Sequence, residues 1–159
     1  MPVSTFIAYP GGLQLVKEAV TNALLHLRAT ASNLVSPMSW EEMDIPGRFV
    51  ASEVLTNIDS SDFIVADISR LNFNVVYEIG YAIGKGRRVL LTKHRSIASD
   101  GLALNDLGLF DTLGWKEYSN GQELTENIQG FDHSRFLAIV EKPNHQSPVY
   151  YVQPQHKID

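Results

Sequence analysis

The sequence predicts an α/β protein in which one parallel sheet lies between two layers of helices. Short apolar runs, typical of strands buried on both faces of a parallel sheet, recur along residues 1–130. Between them, apolar residues recur at helical spacing and mark crossover helices. This alternation fits a flavodoxin-like (Rossmann-like) three-layer sandwich, with a parallel five-stranded sheet of order 2-1-3-4-5.

The composition indicates a soluble globular domain. The chain has 159 residues, of which 44% are hydrophobic and 19% charged. No apolar run approaches the ~20 residues of a membrane span, and no secretory signal is visible. The absence of cysteine excludes disulfides, thiolate catalysis and cysteine-ligated zinc, so we expect a cytoplasmic protein. A net charge of −5 argues against binding to a nucleic-acid polymer.

The first predicted strand, Thr5–Ala8, ends in a loop that contains Tyr9, Gly11 and Gly12. A helix follows, with its apolar positions on one face: Leu13, Val16, Val20, Ala23, Leu24 and Leu27. The two glycines can let the backbone approach a ligand, and the new helix offers free N–H groups to an anion. A plain turn explains the same residues, and both interpretations stay open.

A second, short strand is predicted at Asn33–Val35, and the segment from Ser36 to Asp44 is a candidate wall for a nucleobase. Within it, Trp40 can stack on a purine, pyrimidine or nicotinamide ring, or it can anchor a packed loop. Apolar residues between Phe49 and Ile58 then predict the second helix.

The chain is organised around residues 61–92, which have the pattern of strand, loop, helix and strand. Phe63–Ala66 is the buried strand, and Val89–Leu91 is the next one. The apolar positions of the helix between them are Val75, Val76, Ile79, Ala82 and Ile83. Gly84 and Gly86 end this helix, which completes a right-handed βαβ unit.

Glu78 is the strongest candidate for a catalytic residue. At about 100° of rotation per residue, it falls beside the apolar stripe of its helix, on the side of Tyr81. It lies in the first turns, above the strand that ends near Asp67, and ligands bind at that edge of open α/β sheets. A capping-box glutamate stands three residues after its cap, whereas Glu78 stands four after Asn74. A solvated helix glutamate stays open as the alternative.

Other polar residues of this stretch are candidates for substrate binding. Asp67 can hold a ribose hydroxyl or orient a departing base, or it can end the strand by binding loop N–H groups. Ser69, Asn72 and Asn74 can bind sugar hydroxyls or phosphate, and the two asparagines can also cap the helix. Tyr81 is a further candidate because it shares the side of the glutamate. No spacing supports a metal site, so neither a metal nor a cofactor is predicted.

The sequence patterns that predict the remaining elements are less regular. Lys93–Ser96 offers cations that can meet a phosphate or form a solvated loop. Trp115–Ser119 predicts the fifth strand, and Leu124 with Ile128 marks a last helix. Residues 131–159 are predicted to form an extension or linker towards a further domain.

The run DFIVADIS…NFNVVYEIGYAIGKGRRVLL resembles the core of the nucleoside 2-deoxyribosyltransferase-like superfamily, which is related to TIR domains. In such proteins a Tyr-Glu-hydrophobic-Gly-Tyr-Ala-like helix carries a catalytic glutamate, which corresponds to Glu78. Their first strand-helix loop lines the sugar or phosphate pocket, often with an aromatic residue, and Tyr9 has that place. An acidic residue and a glycine commonly precede their glutamate, but the stretch Asn72–Tyr77 has neither. This departure favours hydrolysis of a nucleotide or NAD over base exchange.

The resemblance implies cleavage of an N-glycosidic bond, by hydrolysis or ribosyl transfer, in a nucleotide-class substrate such as a nucleoside monophosphate or NAD. A carboxylate beside the sugar C1′ stabilises the oxocarbenium charge or attacks it. We expect Glu78 to be ionised at neutral pH, since a nearby helix N-terminus favours the carboxylate.

The alternative is a domain that does not catalyse. TIR-like and deoxyribosyltransferase-like domains also occur fused to other domains in bacterial defence and signalling proteins. The same pocket could then sense a nucleotide, or the domain could act by self-association. In either case the expected partner is a small nucleoside or nucleotide, with a homo-oligomer and a fused C-terminal domain as further expectations.

Overall fold

The computed structural model describes residues 3–29, 35–42, 50–97 and 114–134. Its five parallel strands form one sheet in the order β2-β1-β3-β4-β5, which confirms the predicted topology. The strands are β1 (Val3–Ala8), β2 (Val35–Ser39), β3 (Phe63–Asp67), β4 (Arg88–His94) and β5 (Trp115–Tyr118). The helices are α1 (Gln14–Ala29), α2 (Val50–Ser60), α3 (Phe73–Gly84) and α4 (Gly121–Gln129), with a 3₁₀ turn at Trp40–Glu42.

Two helical layers cover the sheet, and β3 shows how the sequence divides between them. Successive side chains of a strand point to opposite faces. Phe63 and Val65 therefore pack with the apolar residues of α1 and α4, whereas Ile64 and Ala66 pack with those of α2 and α3. Every residue of β3 is buried, as the continuous apolar run predicts.

The second strand differs from its prediction. It runs to Ser39 in register with β1, so the first half of the predicted base-binding segment belongs to the sheet. Pro37 obscured this strand, because proline cannot donate to a β ladder. β2 is an edge strand, where a missing donor is tolerated, and the Arg28 side chain donates to the Pro37 carbonyl at 3.0 Å.

Helix α3 begins at a specific cap. Asn72 is its N-cap, and the side-chain oxygen accepts the backbone N–H groups of Asn74 and Val75 at 3.0 and 3.2 Å. The helix ends at Gly84, and Gly86 follows with φ of 73°, which confirms the predicted glycine stop. Glu78 stands six residues after Asn72, so it is not part of a capping box.

The region after α4 is described only to residue 134. Phe131 packs on Phe63 of β3, with ring centroids 5.3 Å apart. The rest of the predicted extension and any further domain lie outside the described residues and stay predictions. In the part of the chain that is described, none of the helices has the length and apolarity required to cross a membrane.

Candidate functional site

A cavity of about 180 Å³ opens at one edge of the sheet, where β1, β2 and β3 end. Tyr9 directly follows β1, Trp40 follows β2, and the first turns of α3 follow β3. The residues that line it are Tyr9, Trp40, Val54, Asn72, Asn74, Val75 and Glu78. Five predicted site residues therefore lie together, and α2 and α3 add two valines that the sequence indicated only as core positions.

The aromatic part of the wall is held in place by the backbone. The indole Nε1 of Trp40 donates to the carbonyl oxygen of Tyr9 at 3.2 Å, and the two rings lie 5.9 Å apart at 45°. Because the N–H of the indole is used, Trp40 offers a ligand its ring surface. This arrangement fits either stacking on a base or anchoring of the loop, the two roles left open by the sequence.

The two glycines of the first loop have different surroundings. A Cβ on Gly11 would lie 2.6 Å from Cζ2 of Trp40, so the missing side chain makes room for the indole. A Cβ on Gly12 would meet nothing within 4 Å. The Leu13 N–H donates to the Pro10 carbonyl at 3.2 Å, as in a plain turn. Gly11 thus acts on the cavity through Trp40, and Gly12 does not line it.

Glu78 contributes a carboxylate to the cavity from α3. The residue is partly buried, and within the described residues its carboxylate makes no hydrogen bond and no ion pair. Burial raises the pKa of Glu78 to about 7. The expectation of full ionisation at neutral pH is therefore wrong: Glu78 lies beyond the first turn of α3, where the helix dipole has little effect, and desolvation dominates.

The asparagines at the start of α3 provide the other polar groups. The oxygen of Asn72 is used by the two backbone N–H groups that it caps. Its NH₂ group is therefore the part that can serve a ligand, as a donor only. Asn74 is exposed, lines the same cavity and does not cap the helix. Asn72 is thus the predicted helix cap and also lines the cavity, whereas its contact with a sugar or phosphate stays a prediction.

Asp67 and Ser69 lie beneath the site and do not line this cavity. Asp67 is only 1% exposed. Its Oδ2 accepts the hydroxyls of Tyr118 at 2.7 Å and Ser69 at 3.0 Å, and its Oδ1 accepts the Ser69 N–H at 3.0 Å. Burial raises the pKa of Asp67, although these hydrogen bonds oppose the rise. The geometry corresponds to an aspartate that ends a strand by binding loop donors.

This hydrogen-bond network extends across the two neighbouring strands. Ser69 Oγ accepts the backbone N–H of His94 at 2.7 Å. His94 Nδ1 accepts the N–H of Ser96, so Nε2 carries the proton and donates to the Ser119 carbonyl. Burial and the neighbouring Asp67 raise the pKa of Tyr118. The sequence did not predict this role for His94 and Tyr118, and the signal that it offers is their position at the ends of adjacent strands.

Tyr81 lies outside the cavity, at the contact between two helices. Its hydroxyl donates to Oδ2 of Asp59 on α2 at 2.9 Å, and Lys85 forms an ion pair with the same carboxylate at 3.3 Å. Tyr81 therefore joins α3 to α2, one turn beyond Glu78. Tyr81 does not line the cavity, so its predicted contact with substrate stays a prediction.

Among the described residues, no lysine or arginine lines the cavity. Arg95 pairs with Glu123 at 2.9 Å and with Glu117 at 3.6 Å, as in a solvated loop. Among the described residues, no group of three or more histidines and carboxylates could hold a metal ion.

Solved structures that are similar to this chain include a CMP N-glycosidase and a 2-deoxyribosyltransferase. A conserved protein from Enterococcus faecalis V583 matches with a TM-score of 0.58 and 18% identity, over 80% of this chain and 98% of that one. The CMP N-glycosidase BcmB from Clostridium botulinum matches with a TM-score of 0.54 and 15% identity, over 79% of this chain and 96% of that one. A 2-deoxyribosyltransferase from Leishmania mexicana matches with a TM-score of 0.48 and 19% identity.

The chain shares its fold with the Enterococcus protein and with the CMP N-glycosidase. The two structures with TM-scores above 0.5 match over most of their own length, whereas the chain spans 65% of the Leishmania protein and aligns over 58% of itself. No model of a protein family and no curated protein matches the sequence. In this fold, the cavity with Glu78 lies at the edge where open α/β sheets bind ligands.

Proposed function

We propose that the protein cleaves the N-glycosidic bond of a nucleoside or nucleotide, with Glu78 acting at the sugar C1′. One observation carries the proposal: Glu78 places a desolvated carboxylate without a partner, among the described residues, on the wall of a cavity that also contains Trp40 and Tyr9. A shielded ionisable group without a partner costs stability, and such groups concentrate at functional sites.

The chemistry follows from the lining residues. As the bond from C1′ to the base breaks, positive charge develops on the sugar, and the Glu78 carboxylate stabilises this charge or attacks C1′. Water then completes hydrolysis. The Asn72 NH₂ group donates to a sugar or phosphate oxygen, while Trp40 and Tyr9 contact the base. Two observations support a nucleotide-class substrate: this polar and aromatic lining, and a fold shared with a CMP N-glycosidase.

The test is a chromatographic assay of base release from NAD, nucleoside monophosphates and nucleosides. We expect the wild type to release a free base. Glu78→Gln is expected to release it at least about a thousand-fold more slowly. Glu18→Gln is the matched control, because Glu18 is an exposed glutamate on α1 that contacts Gln14. Comparable rates for Glu78→Gln and wild type contradict the proposal.

The same assay, together with a measurement of nucleotide binding by calorimetry, separates the alternative roles. Tight binding of an unaltered nucleotide, without product, identifies the sensing role predicted from the sequence. Turnover that depends on protein concentration indicates activity through self-association. The relation to TIR domains, a role in bacterial defence, a fused domain and a cytoplasmic location stay predictions.

A further inference from the structure

The described acids near the cavity differ in their availability. Glu78 lines it and has no hydrogen-bond or ion-pair partner among the described residues. Asp67 is occupied by Tyr118 and Ser69. Glu41, which follows Trp40, forms an ion pair with Lys17 at 2.7 Å. Within the described part of the chain, the cavity is therefore lined by one available carboxylate and by no lysine or arginine.

These lining groups suit a positively charged ring. An aromatic face attracts a cation through its quadrupole, and tryptophan does so best. A shielded carboxylate without a partner gains most from a cationic ligand, since the ligand supplies the missing counter-charge. Both features occur together in this cavity, through Trp40, Tyr9 and Glu78.

The leaving group also needs a proton source if the base is neutral. A purine or pyrimidine departs readily when an acid protonates it, and the second carboxylate of glycoside cleavage serves this purpose. Of the other described acids near this sheet edge, Glu41 is paired with Lys17, and the two oxygens of Asp67 already accept three hydrogen bonds. A ring that carries a positive charge at its glycosidic nitrogen leaves as a neutral molecule and needs no acid.

We infer that the site takes a pyridinium N-riboside of the nicotinamide type in preference to a neutral purine or pyrimidine nucleoside. The inference rests on the proposed function and names its substrate class. The bond between C1′ and the pyridinium nitrogen breaks, and its electron pair returns to the ring to give neutral nicotinamide. Water supplies hydroxyl to C1′, and one proton is released to solvent, so charge and atoms balance.

A binding measurement tests the charge preference without any turnover. Calorimetry compares 1-methylnicotinamide, a cation, with neutral nicotinamide of nearly the same size. At pH 8 we expect the cation to bind about ten-fold more tightly to wild type. Glu78→Gln is expected to lose this preference, and the control Glu18→Gln to keep it. Equal affinities, tighter binding of nicotinamide, or no binding of either compound overturns the inference.

The charge preference should also depend on pH. Among the described residues, those that face Glu78 from the first loop, the 3₁₀ turn and α2 are Tyr9, Trp40 and Val54, and of these three only Tyr9 carries an ionisable group. Binding of the cation at pH 6 is therefore expected to be about ten-fold weaker than at pH 8 and to release a proton from Glu78. Binding of the cation that is independent of pH contradicts the assigned role of the carboxylate.

A cleavage measurement separates this inference from the proposed function. Nicotinamide mononucleotide and CMP carry the same ribose 5′-phosphate and differ only in the base. After correction for spontaneous hydrolysis, we expect kcat/KM to be at least about a hundred-fold higher for the nicotinamide compound. A CMP value that is equal or higher overturns the inference and leaves the proposed function in place. Cleavage of neither, with the charge preference intact, overturns the proposed function instead.

Discussion

Two carboxylates of the same βαβ unit have opposite surroundings. Asp67, at the end of β3, is buried and accepts three hydrogen bonds. Glu78, in the helix that follows, is partly buried and accepts none from the described residues. Burial raises the pKa of both, but only Asp67 has donors that oppose the rise.

The comparison distinguishes a buried carboxylate with a structural role from one that can act on a ligand. The donors of Asp67 come from its own loop and from β5, and Ser69 extends the connection to β4. This network fixes the loop from which α3 begins. Glu78 receives no such hydrogen bonds from the part of the chain that is described, which leaves its carboxylate available to a ligand. Each of the following predictions tests one side of this comparison.

The largest loss of stability is expected from Asp67→Ala. The change leaves the Tyr118 hydroxyl and two donors of Ser69 without their acceptor in a buried place, and we expect a loss of about 3 kcal/mol in the free energy of unfolding. Urea unfolding measures it. Tyr118→Phe, which removes a single hydroxyl and keeps the ring, is expected to lose about 1 kcal/mol. An unchanged stability of Asp67→Ala shows that the network does not fix this edge.

The opposite effect is expected from Glu78→Gln at alkaline pH. The pKa of Glu78 is about 7 in the native state, against 4.5 for an ordinary glutamate side chain. Between these values the native state binds more protons than the unfolded state, so the contribution of Glu78 to stability falls as pH rises from about 4.5 to about 7. We therefore expect Glu78→Gln to be more stable than wild type at pH 8, by on the order of 2 kcal/mol, and similar to it at pH 4.5.

Unfolding curves at the two pH values measure this crossover. An identical pH dependence in wild type and variant shows that the carboxylate is solvated. The same titration should govern catalysis, because the carboxylate form acts at C1′: kcat/KM is expected to rise with pH up to about 7 and then to level off.

A smaller effect is expected from Gly11→Ala. The added Cβ would lie 2.6 Å from Cζ2 of Trp40, so the indole must shift and the cavity wall moves with it. We expect a loss of about 1 kcal/mol and weaker ligand binding. Gly12→Ala is the matched control, because its Cβ would meet nothing within 4 Å. Equal effects of the two substitutions contradict the role of Gly11 in seating Trp40.

The smallest effect is expected from Tyr81→Phe. It removes the hydroxyl that donates to Asp59 but keeps the ring between α2 and α3. Because this contact is partly solvated, we expect the melting temperature to fall by only about 2 °C. Tyr77→Phe, one turn earlier and 58% exposed, is expected to change nothing. A large loss of substrate binding in Tyr81→Phe alone supports the substrate contact predicted from the sequence.

The fold and much of the site followed from local patterns. Buried strands of a parallel sheet need continuous apolar runs, and helices that cover the sheet need one apolar face, so the sequence predicts their order. Parallel strands place their carboxyl ends at one edge, which brought Tyr9, Trp40 and Glu78 together as predicted. The error at β2 arose because the tolerance of Pro37 depends on its place at the edge of the sheet.

Local sequence patterns were sufficient to predict the α/β order, the cap and end of α3, and the position of Glu78 above the sheet edge, since these features depend on neighbouring residues. The tertiary structure decided how each polar group is used. The hydrogen bond between Tyr118 and Asp67 joins residues 51 positions apart in the sequence, and the one between Tyr81 and Asp59 joins residues 22 positions apart. The pKa of Glu78 depends on how much water the surrounding elements exclude. Pairing and desolvation arise from residues distant in the chain, and no local pattern contains them.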